Sequence, residues 1–319
     1  MTAFLVLSIM LIFYIQTISW KWASIFLLFF GGFALVAGSD LFVEGAAGFA
    51  AKFGISEHAI GLTIVAFGTS FPEFAVSFIA ALQKHASISI GNVLGSNVTN
   101  ILLIMGVAIL IMPLKPSKFA FKDSTYMVIV SIMLLLMAFD GKLQIYDGIL
   151  LLSFYAFFIY ILYKRKSIEA TCEAKIGFPL ALFFLIIGGI AIAIGGDATV
   201  DGAIGMAKIM NVGELAVAAS IVAFGTSLPE FMTSVMATIK RYHGIAIGNI
   251  IGSNVVNLGV VLGSSCIVRN ISVSMDSTFL FFILSSFIAL TVVGKKWYGK
   301  IVGIAFLILY ILFIILLYV

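Results

Sequence analysis

Charge is scarce in this chain of 319 residues: Asp, Glu, Lys and Arg together make up 10%, well under half the usual share of a soluble domain. Proline is scarcer still, at 5 residues, and there are only 2 cysteines and 3 histidines. So few charges cannot dress the surface of a water-soluble globule, which excludes that class. Two cysteines exclude a disulfide scaffold. Disorder is excluded too, because 62% of the residues are apolar and the mean hydropathy is +1.23. The apolar runs are continuous rather than alternating, which argues against an outer-membrane barrel. What remains is an all-α polytopic membrane protein, with room for about ten or eleven spans of ~20 residues.

Apolar stretches fall at 3–19, 23–50, 59–82, 88–112, 124–139, 144–163, 177–209, 215–239, 245–268, 277–294 and 298–318. Short polar breaks separate them, such as Gln83-Lys84-His85, Lys164-Arg165-Lys166 and Lys295-Lys296. With the break at 164–176 on the cytoplasmic side, that face collects Lys52, Lys115, Lys118, Lys122, Lys164, Arg165, Lys166, Lys175, Lys240, Arg241, Lys295, Lys296 and Lys300. The other face keeps Lys21, Lys84, Lys142, Lys208 and Arg269. Basic residues favour the cytoplasm, so the C-terminus is expected outside the cell membrane. The pI near 9.0 is then a topology signal with lipid headgroups as partner, and not the mark of a nucleic-acid binder. The segment 1–20 is expected to form an extra helix with Trp20 and Trp22 at its interface end, a signal-like segment being the alternative. Cys172 and Cys266 lie far apart in this topology, and no disulfide is expected.

The most informative feature is a duplication. Adding 157 to a position in the first half lands on its twin: Asp40 on Asp197, Glu44 on Asp201, Glu57 on Glu214, Glu73 on Glu230, Ser96 on Ser253, Asn100 on Asn257. The segment IVAFGTSFPEF at 64–74 returns as IVAFGTSLPEF at 221–231, and IGNVLGSNVTN at 90–100 as IGNIIGSNVVN at 247–257. Each unit holds five spans, an odd number, so the second copy must be inverted relative to the first. Inverted repeats with a midplane site between them are the architecture of secondary transporters. The expected organisation is an extra segment at 1–20, a first five-helix repeat at 21–163, a linker at 164–176 and a second repeat at 177–319.

The acids sort by position. Asp123, Asp140, Asp147, Glu169, Glu173 and Asp276 lie in or beside breaks and are expected to be solvated. Glu57 and Glu214 open helices, where a carboxylate complements the positive end of the dipole. Asp40, Glu44, Asp197 and Asp201 near helix ends could be solvated or could line a cation entrance. Glu73 and Glu230 differ, because each lies deep in an apolar span with no mid-span Lys or Arg. A carboxylate there costs several kcal/mol unless it is paired, which marks a functional site. The partner must be a proton or a bound cation.

The neighbours suit a cation. Gly68 with Pro72, and Gly225 with Pro229, interrupt helical bonding and free carbonyls, which membranes tolerate only where these line a cavity or bind something. Thr69, Ser70, Thr226 and Ser227 add hydroxyls, while Ser96 with Asn100 and Ser253 with Asn257 share helix faces at a spacing of four. A flexible site made only of oxygen fits Ca²⁺ or Na⁺, and lacks the Cys or His that zinc, copper or iron would want. His58, His85 and His243 sit at span ends and are expected to be solvated or interfacial. Gly91, Gly95, Gly106, Gly248, Gly252 and Gly263 are explained by close helix packing, and Asn92, Asn97, Asn249 and Asn254 by hydrogen bonds between helices.

At the two motif pairs, GTSFPEF with GSNVTN and GTSLPEF with GSNVVN, the chain resembles the sodium/calcium exchangers of the cation/calcium antiporter superfamily. It is similar to a compact prokaryotic member without a large cytoplasmic regulatory insert. The resemblance covers about residues 21–319. It implies ten core helices, four of them (59–82, 88–112, 215–239, 245–268) around the cation sites, with two long helices at 23–50 and 177–209 that slide outside. It further implies a calcium site of Glu73, Glu230 and the backbone oxygens of Thr69 and Thr226. The sodium positions it implies are Ala66, Ser70 and Ser96 with Ala223, Ser227 and Ser253, and Asn100 and Asn257 form the central pair. Some relatives, among them the potassium-dependent ones, carry Asp at the position of Asn257. Here the pocket holds two carboxylates, which counts against potassium co-transport.

The activity expected is alternating-access exchange of Na⁺ for Ca²⁺ by a monomer without cofactor, extruding Ca²⁺. A Ca²⁺/H⁺ antiporter on the same fold is the alternative, although such relatives usually carry an Asn-Ala-Thr-Glu type motif. A passive cation pore would leave the paired mid-span acids unexplained. An enzyme is not expected, because the spans contain no nucleophile–base pair.

Overall fold

The computed structural model describes residues 2–16, 23–165, 172, 175–209, 223–296 and 298–317. Backbone in lipid must satisfy its own hydrogen bonds, so the apolar runs become helices. In order they are α1 (Thr2–Gln16), α2 (Ala23–Phe53), α3 (Glu57–Thr69) and α4 (Phe71–Leu82). Next come α5 (Ser87–Ile111), α6 (Ala120–Met137), α7 (Ile145–Arg165) and α8 (Phe178–Ile209). The last four are α9 (Leu228–Ile239), α10 (His243–Val268), α11 (Ser277–Lys295) and α12 (Lys300–Leu316).

Among the described residues, seven helices are long and apolar enough to cross a membrane, and eight if the bent pair α3 and α4 forms one span. At 17 residues α12 is slightly shorter, and α9 continues a stretch whose beginning at 215–222 lies outside the described residues. These elements account for the ten core spans expected. The segment before them is helical as α1, whose Leu5, Ile12 and Ile15 pack in one cluster with Leu27 and Ala34 of α2. Trp20, Trp22, Glu169, Glu173 and Glu214 lie outside the described residues. Both cysteines are buried, and neither forms a disulfide among the described residues.

The inversion is visible in which breaks meet. A short strand, β1 (Lys142–Leu143), pairs antiparallel with β2 (Ile271–Ser272), with Leu143 opposite Ile271. The break before α7 follows the fourth span of the first copy, whereas the break before α11 follows the third span of the second. Two copies of five spans running the same way would put these breaks on opposite faces. Only an inverted second copy brings them together, so the duplication is an inverted repeat.

The two long helices meet along a seam of small residues. Gly31 lies against Thr199, Gly38 against Ala191 and Gly45 against Leu185, an antiparallel register between α2 and α8. A β-carbon on Gly45 would run into the Leu185 backbone, and one on Gly188 would stand 2.5 Å from the Phe42 nitrogen. Membrane helices lacking a hydrophobic drive between them gain from such close van der Waals approach. The same device sets α10 against α3, where Gly248 and Gly252 face His58, Leu62 and Ala66. By the repeat, Gly91 and Gly95 would face positions 215, 218, 219 and 223, where 215–222 lie outside the described residues. From Gly244 to Val256 every residue of α10 is buried, which makes it the most enclosed element.

The seam is testable. Gly45→Val should force α2 off α8 and lower the thermal unfolding midpoint of the purified protein, at a cost of about 1–3 kcal/mol typical of overpacking. An unchanged midpoint would show that the seam carries no stability.

Candidate cation site

Both copies break their second span at the same place. Pro72 is the second residue of α4 and has no N–H for the Gly68 carbonyl, so the helix turns at Ser70 (φ −80°, ψ 8°). The bend between α3 and α4 is 48°. Ser227 (φ −86°, ψ 4°) repeats the turn ahead of Pro229. Each break restarts a helix in the middle of the fold, and its first turn carries Glu73 in α4 and Glu230 in α9. The positive end of the new half-helix thus faces its own carboxylate. Both glutamates are fully enclosed, at 0% and 1% exposure.

Each glutamate is held by the opposite copy. Ser70 Oγ donates to Glu230 Oε1 at 2.9 Å, and Ser227 Oγ donates to Glu73 Oε1 at 3.2 Å. Thr69 Oγ1 donates to Asn249 Oδ1 at 3.1 Å, and Thr226 Oγ1 to Asn92 Oδ1 at 3.3 Å. Asn92 Nδ2 in turn donates to the Glu73 carbonyl at 3.3 Å and to Ser77 Oγ at 2.9 Å. Asn249 does the same with the Glu230 carbonyl at 3.4 Å and Ser234 Oγ at 2.9 Å. The two asparagines are therefore more than bonds between helices: they clamp the first turn that bears the carboxylate. The signal lay in their spacing, because 92, 96 and 100, like 249, 253 and 257, recur every four residues on one face. Asn97 does serve as an interhelical link, its Nδ2 donating to the Asn254 backbone carbonyl at 3.3 Å and its Oδ1 accepting from Asn257 Nδ2 at 3.0 Å, whereas the Asn254 side chain donates within its own helix, to the Ile250 carbonyl at 2.7 Å.

With the threonine hydroxyls engaged, a set of buried oxygens is left over. Glu73 Oε2, Glu230 Oε2, Asn100 Oδ1, Asn257 Oδ1 and Ser253 Oγ are enclosed without a hydrogen-bond partner among the described residues. Ser96 Oγ reaches Glu73 Oε1 only at 3.5 Å. Asn100 lies in a π-helical stretch, Thr99–Met105, and Asn257 opens its twin, Asn257–Leu262. Such wide turns inside α-helices often mark functional sites. The Asn257 stretch packs on α4 and the Asn100 stretch on α9, so each asparagine lies against the half-helix of the other copy. The carbonyl of Ala66 accepts from Ser70 N at 3.0 Å, and Ser227 N bonds the Phe224 carbonyl at 3.1 Å. Ala223 opens the short turn before that second break.

Among the described residues no Lys, Arg or His forms an ion pair with either glutamate, and no group of three or more His, Cys, Asp or Glu side chains could hold a metal. Unpartnered buried polar atoms require a reason. Two carboxylates with amide and hydroxyl oxygens around them can take a hard cation, and nothing in the set favours a soft one. A cleft of about 270 Å³ runs to Thr69, Pro72 and Pro229 between the long helices and the breaks, walled by Phe42, Phe67 and Phe71.

The other acids have their own partners. Lys240 Nζ stands 2.8 Å from both Asp40 Oδ1 and Glu44 Oε1, so on this face an ammonium occupies the space between the two acids. Burial alone would lower the lysine's pKa, but hydrogen bonds and charges from Asp40 and Glu44 outweigh it and leave the value raised. Asp197 and Asp201 are exposed, and Asp201 accepts from Gln16 of α1 at 3.1 Å. Glu57 accepts from Gly244 N at 3.2 Å and so caps α10. Asp276 caps α11 by accepting from Phe279 N at 3.1 Å.

Asp123 contradicts its expected solvation. It is 1% exposed, bonded by His58 Nε2 at 3.0 Å and paired with Arg165. His58 likewise is buried, not interfacial. These partners come from three different spans of the first copy, and positions 215 and 280, the twins of His58 and Asp123, are both Leu. Neither periodicity nor the repeat could have announced the cluster.

The chain matches the model of the family described as sodium/calcium exchanger protein over residues 23–164 and 180–319. It is 32% identical to the sodium/calcium exchanger MaX1 of Methanosarcina acetivorans, covering 92% of this chain and 97% of that protein. The inner membrane protein YrbG of Escherichia coli is 34% identical over 74% of this chain and 77% of its own length. Among solved structures, the sodium-calcium exchanger NCX_Mj soaked with Na⁺ and Sr²⁺ superposes with a TM-score of 0.84 at 31% identity, over 92% of this chain and 98% of that one.

The lysine bridge sets up a direct comparison between the copies, because the twin of Lys240 is Gln83. Lys240→Gln should free Asp40 and Glu44 and speed amide hydrogen exchange in the second half of α2 a few-fold, as expected for loss of about 1 kcal/mol from a half-buried pair. Unaltered exchange there would mean that the bridge does not hold α2 to the core.

Proposed function

This chain belongs to the sodium/calcium exchanger protein family and is a multi-pass membrane cation/Ca²⁺ antiporter, and we propose that it drives Ca²⁺ out of the cell with Na⁺ moving inward. The carrying observation is the pair Glu73 and Glu230, each enclosed and, among the described residues, each free at one oxygen and unpaired with any basic side chain.

Two carboxylates supply a charge of −2, which one Ca²⁺ cancels. Its oxygens would come from Glu73, Glu230 and the backbone at Thr69 and Thr226, whose hydroxyls are turned away to Asn249 and Asn92. Sodium ions would use the same carboxylates with Ser70, Ser227, Ser96, Ser253, Asn100, Asn257 and the backbone at Ala66 and Ala223. Overlapping ligands make full loading by either ion exclude the other, and that exclusion is what an exchanger needs. An empty site would resist conversion between faces, since two unpaired carboxylates would then be sealed in apolar surroundings. The inverted units, 21–163 and 177–319 about a 164–176 linker, supply two related states between which ions shift the population. We orient the linker toward the cytoplasm and the C-terminus outside, as the bias of basic residues favours, and we take the transporting unit to be a monomer.

Sodium is preferred to protons as the driving ion because the donor set offers neutral oxygens well beyond the two titratable ones. A proton needs only the carboxylates, whereas Na⁺ needs several oxygens at once.

Radiocalcium uptake into proteoliposomes tests this, with an imposed sodium gradient at fixed pH and clamped membrane potential. Uptake should follow the sodium gradient. Glu73→Gln and Glu230→Gln should each abolish it with folding intact, while Asp147→Asn should leave it nearly unchanged. Uptake that follows ΔpH and ignores Na⁺ would overturn the sodium assignment. Near-normal flux in both glutamate variants would overturn the site.

A further inference from the structure

The basic side chains that ion exchange leaves unused gather at one corner of the molecule. A cleft of about 540 Å³ opens where the starts of α3 and α10 meet the break before α6, and Lys115, Lys118, Arg241, His58, His243 and Glu57 line it. Beside it the Phe119 ring has Lys118 Nζ at 5.1 Å, Lys122 Nζ at 5.7 Å and the Arg165 guanidinium at 5.0 Å. Among the described residues, five cations share this corner with two carboxylates, and both carboxylates are engaged: Glu57 with Gly244 N, Asp123 with His58 and Arg165. The helix starts of α3 and α10 add positive dipole ends.

His58, 1% exposed, is among the residues that line this cleft and donates from Nε2 to Asp123. Like charges so concentrated call for a counter-anion. The duplication shows that the corner is not a by-product of the fold. Arg241 has a basic twin in Lys84, but the twins of Lys115, Lys118 and His58 are Ser272, Met275 and Leu215, and Ala86 is the twin of His243, so the opposite face keeps one cation of the cluster.

The cleft lies at the ends of transmembrane helices, the height at which lipid headgroups stand, and Phe121, three residues after Lys118, is half exposed. Lipid offers a phosphate at that height with apolar chains beside it. We propose that this cleft is a binding site for the phosphate of an anionic phospholipid headgroup. Lys115, Lys118 and Arg241 supply the charge that holds the phosphate.

The test is a lipid titration of the purified full chain in detergent, read by its thermal unfolding midpoint. The probes are phosphatidylglycerol, phosphatidylcholine and inorganic phosphate. The cleft variant carries Lys115→Gln, Lys118→Gln and Arg241→Gln, all at exposed positions. A control removes three exposed charges elsewhere, through Lys142→Gln, Arg269→Gln and Lys300→Gln. Phosphatidylglycerol should stabilise the wild type and the control in a saturable way, while phosphatidylcholine should not. The cleft variant should need at least about tenfold more phosphatidylglycerol for the same shift, since each basic residue near an anionic surface contributes measurably. An equal response from cleft variant and control would overturn the site. A shift reproduced by millimolar inorganic phosphate and lost in the cleft variant would overturn the lipid assignment in favour of a free anion.

Discussion

Two carboxylates enclosed in an apolar bundle without a basic partner are the constraint on which this structure depends. Glu73 and Glu230 cannot be left as bare charges in oil, and the surrounding chain is arranged to make them tolerable. Each begins a new half-helix, so a dipole end faces it. Each accepts a hydroxyl from the opposite copy, Ser227 for Glu73 and Ser70 for Glu230. Each is clamped at its own carbonyl by an asparagine, Asn92 or Asn249. Proline breaks, serine turns and π-helical stretches are all expensive in a helix taken alone. They recur here in both copies because the same two charges must be housed from both sides.

The bonds that hold the acids run across the repeat boundary, which makes the two copies interdependent. Ser70 serves Glu230 and Thr69 serves Asn249, so a shift of one broken span is felt at the carboxylate of the other. The glycine seam between α2 and α8 lets the two long helices lie backbone to backbone without interlocking large side chains. A pair packed in this way can translate along its axis more readily than one with deep knobs.

Outside that centre the copies have diverged, and charge is what has diverged most. Lys240 bridges Asp40 and Glu44 where its twin is Gln83, and the Asp197–Asp201 pair on the other face has no lysine of its own at that position. The buried His58–Asp123–Arg165 cluster and the basic cleft both belong to one face alone. A perfect inverted duplication would make its two faces equivalent in energy. Ion pairs placed on one side remove that equivalence at little expense to the shared core.

Much of this was legible from the amino acids alone: the helical membrane class, the duplication and its inversion, the breaks at Pro72 and Pro229, and the two glutamates as the centre. These follow from local rules, since chain length, hydropathy, an odd number of spans and the missing proline N–H need no knowledge of distant contacts. Tertiary structure decided the rest. Asn92 and Asn249 became clamps, and Asp123 left the solvent for His58 and Arg165. Each of those outcomes depends on which residue arrives from another span, 15 to 180 positions away in the case of these side-chain bonds. Spacing along a chain carries the face on which a side chain stands. It does not carry what will be packed against that face, because that is determined only when all the helices share one volume.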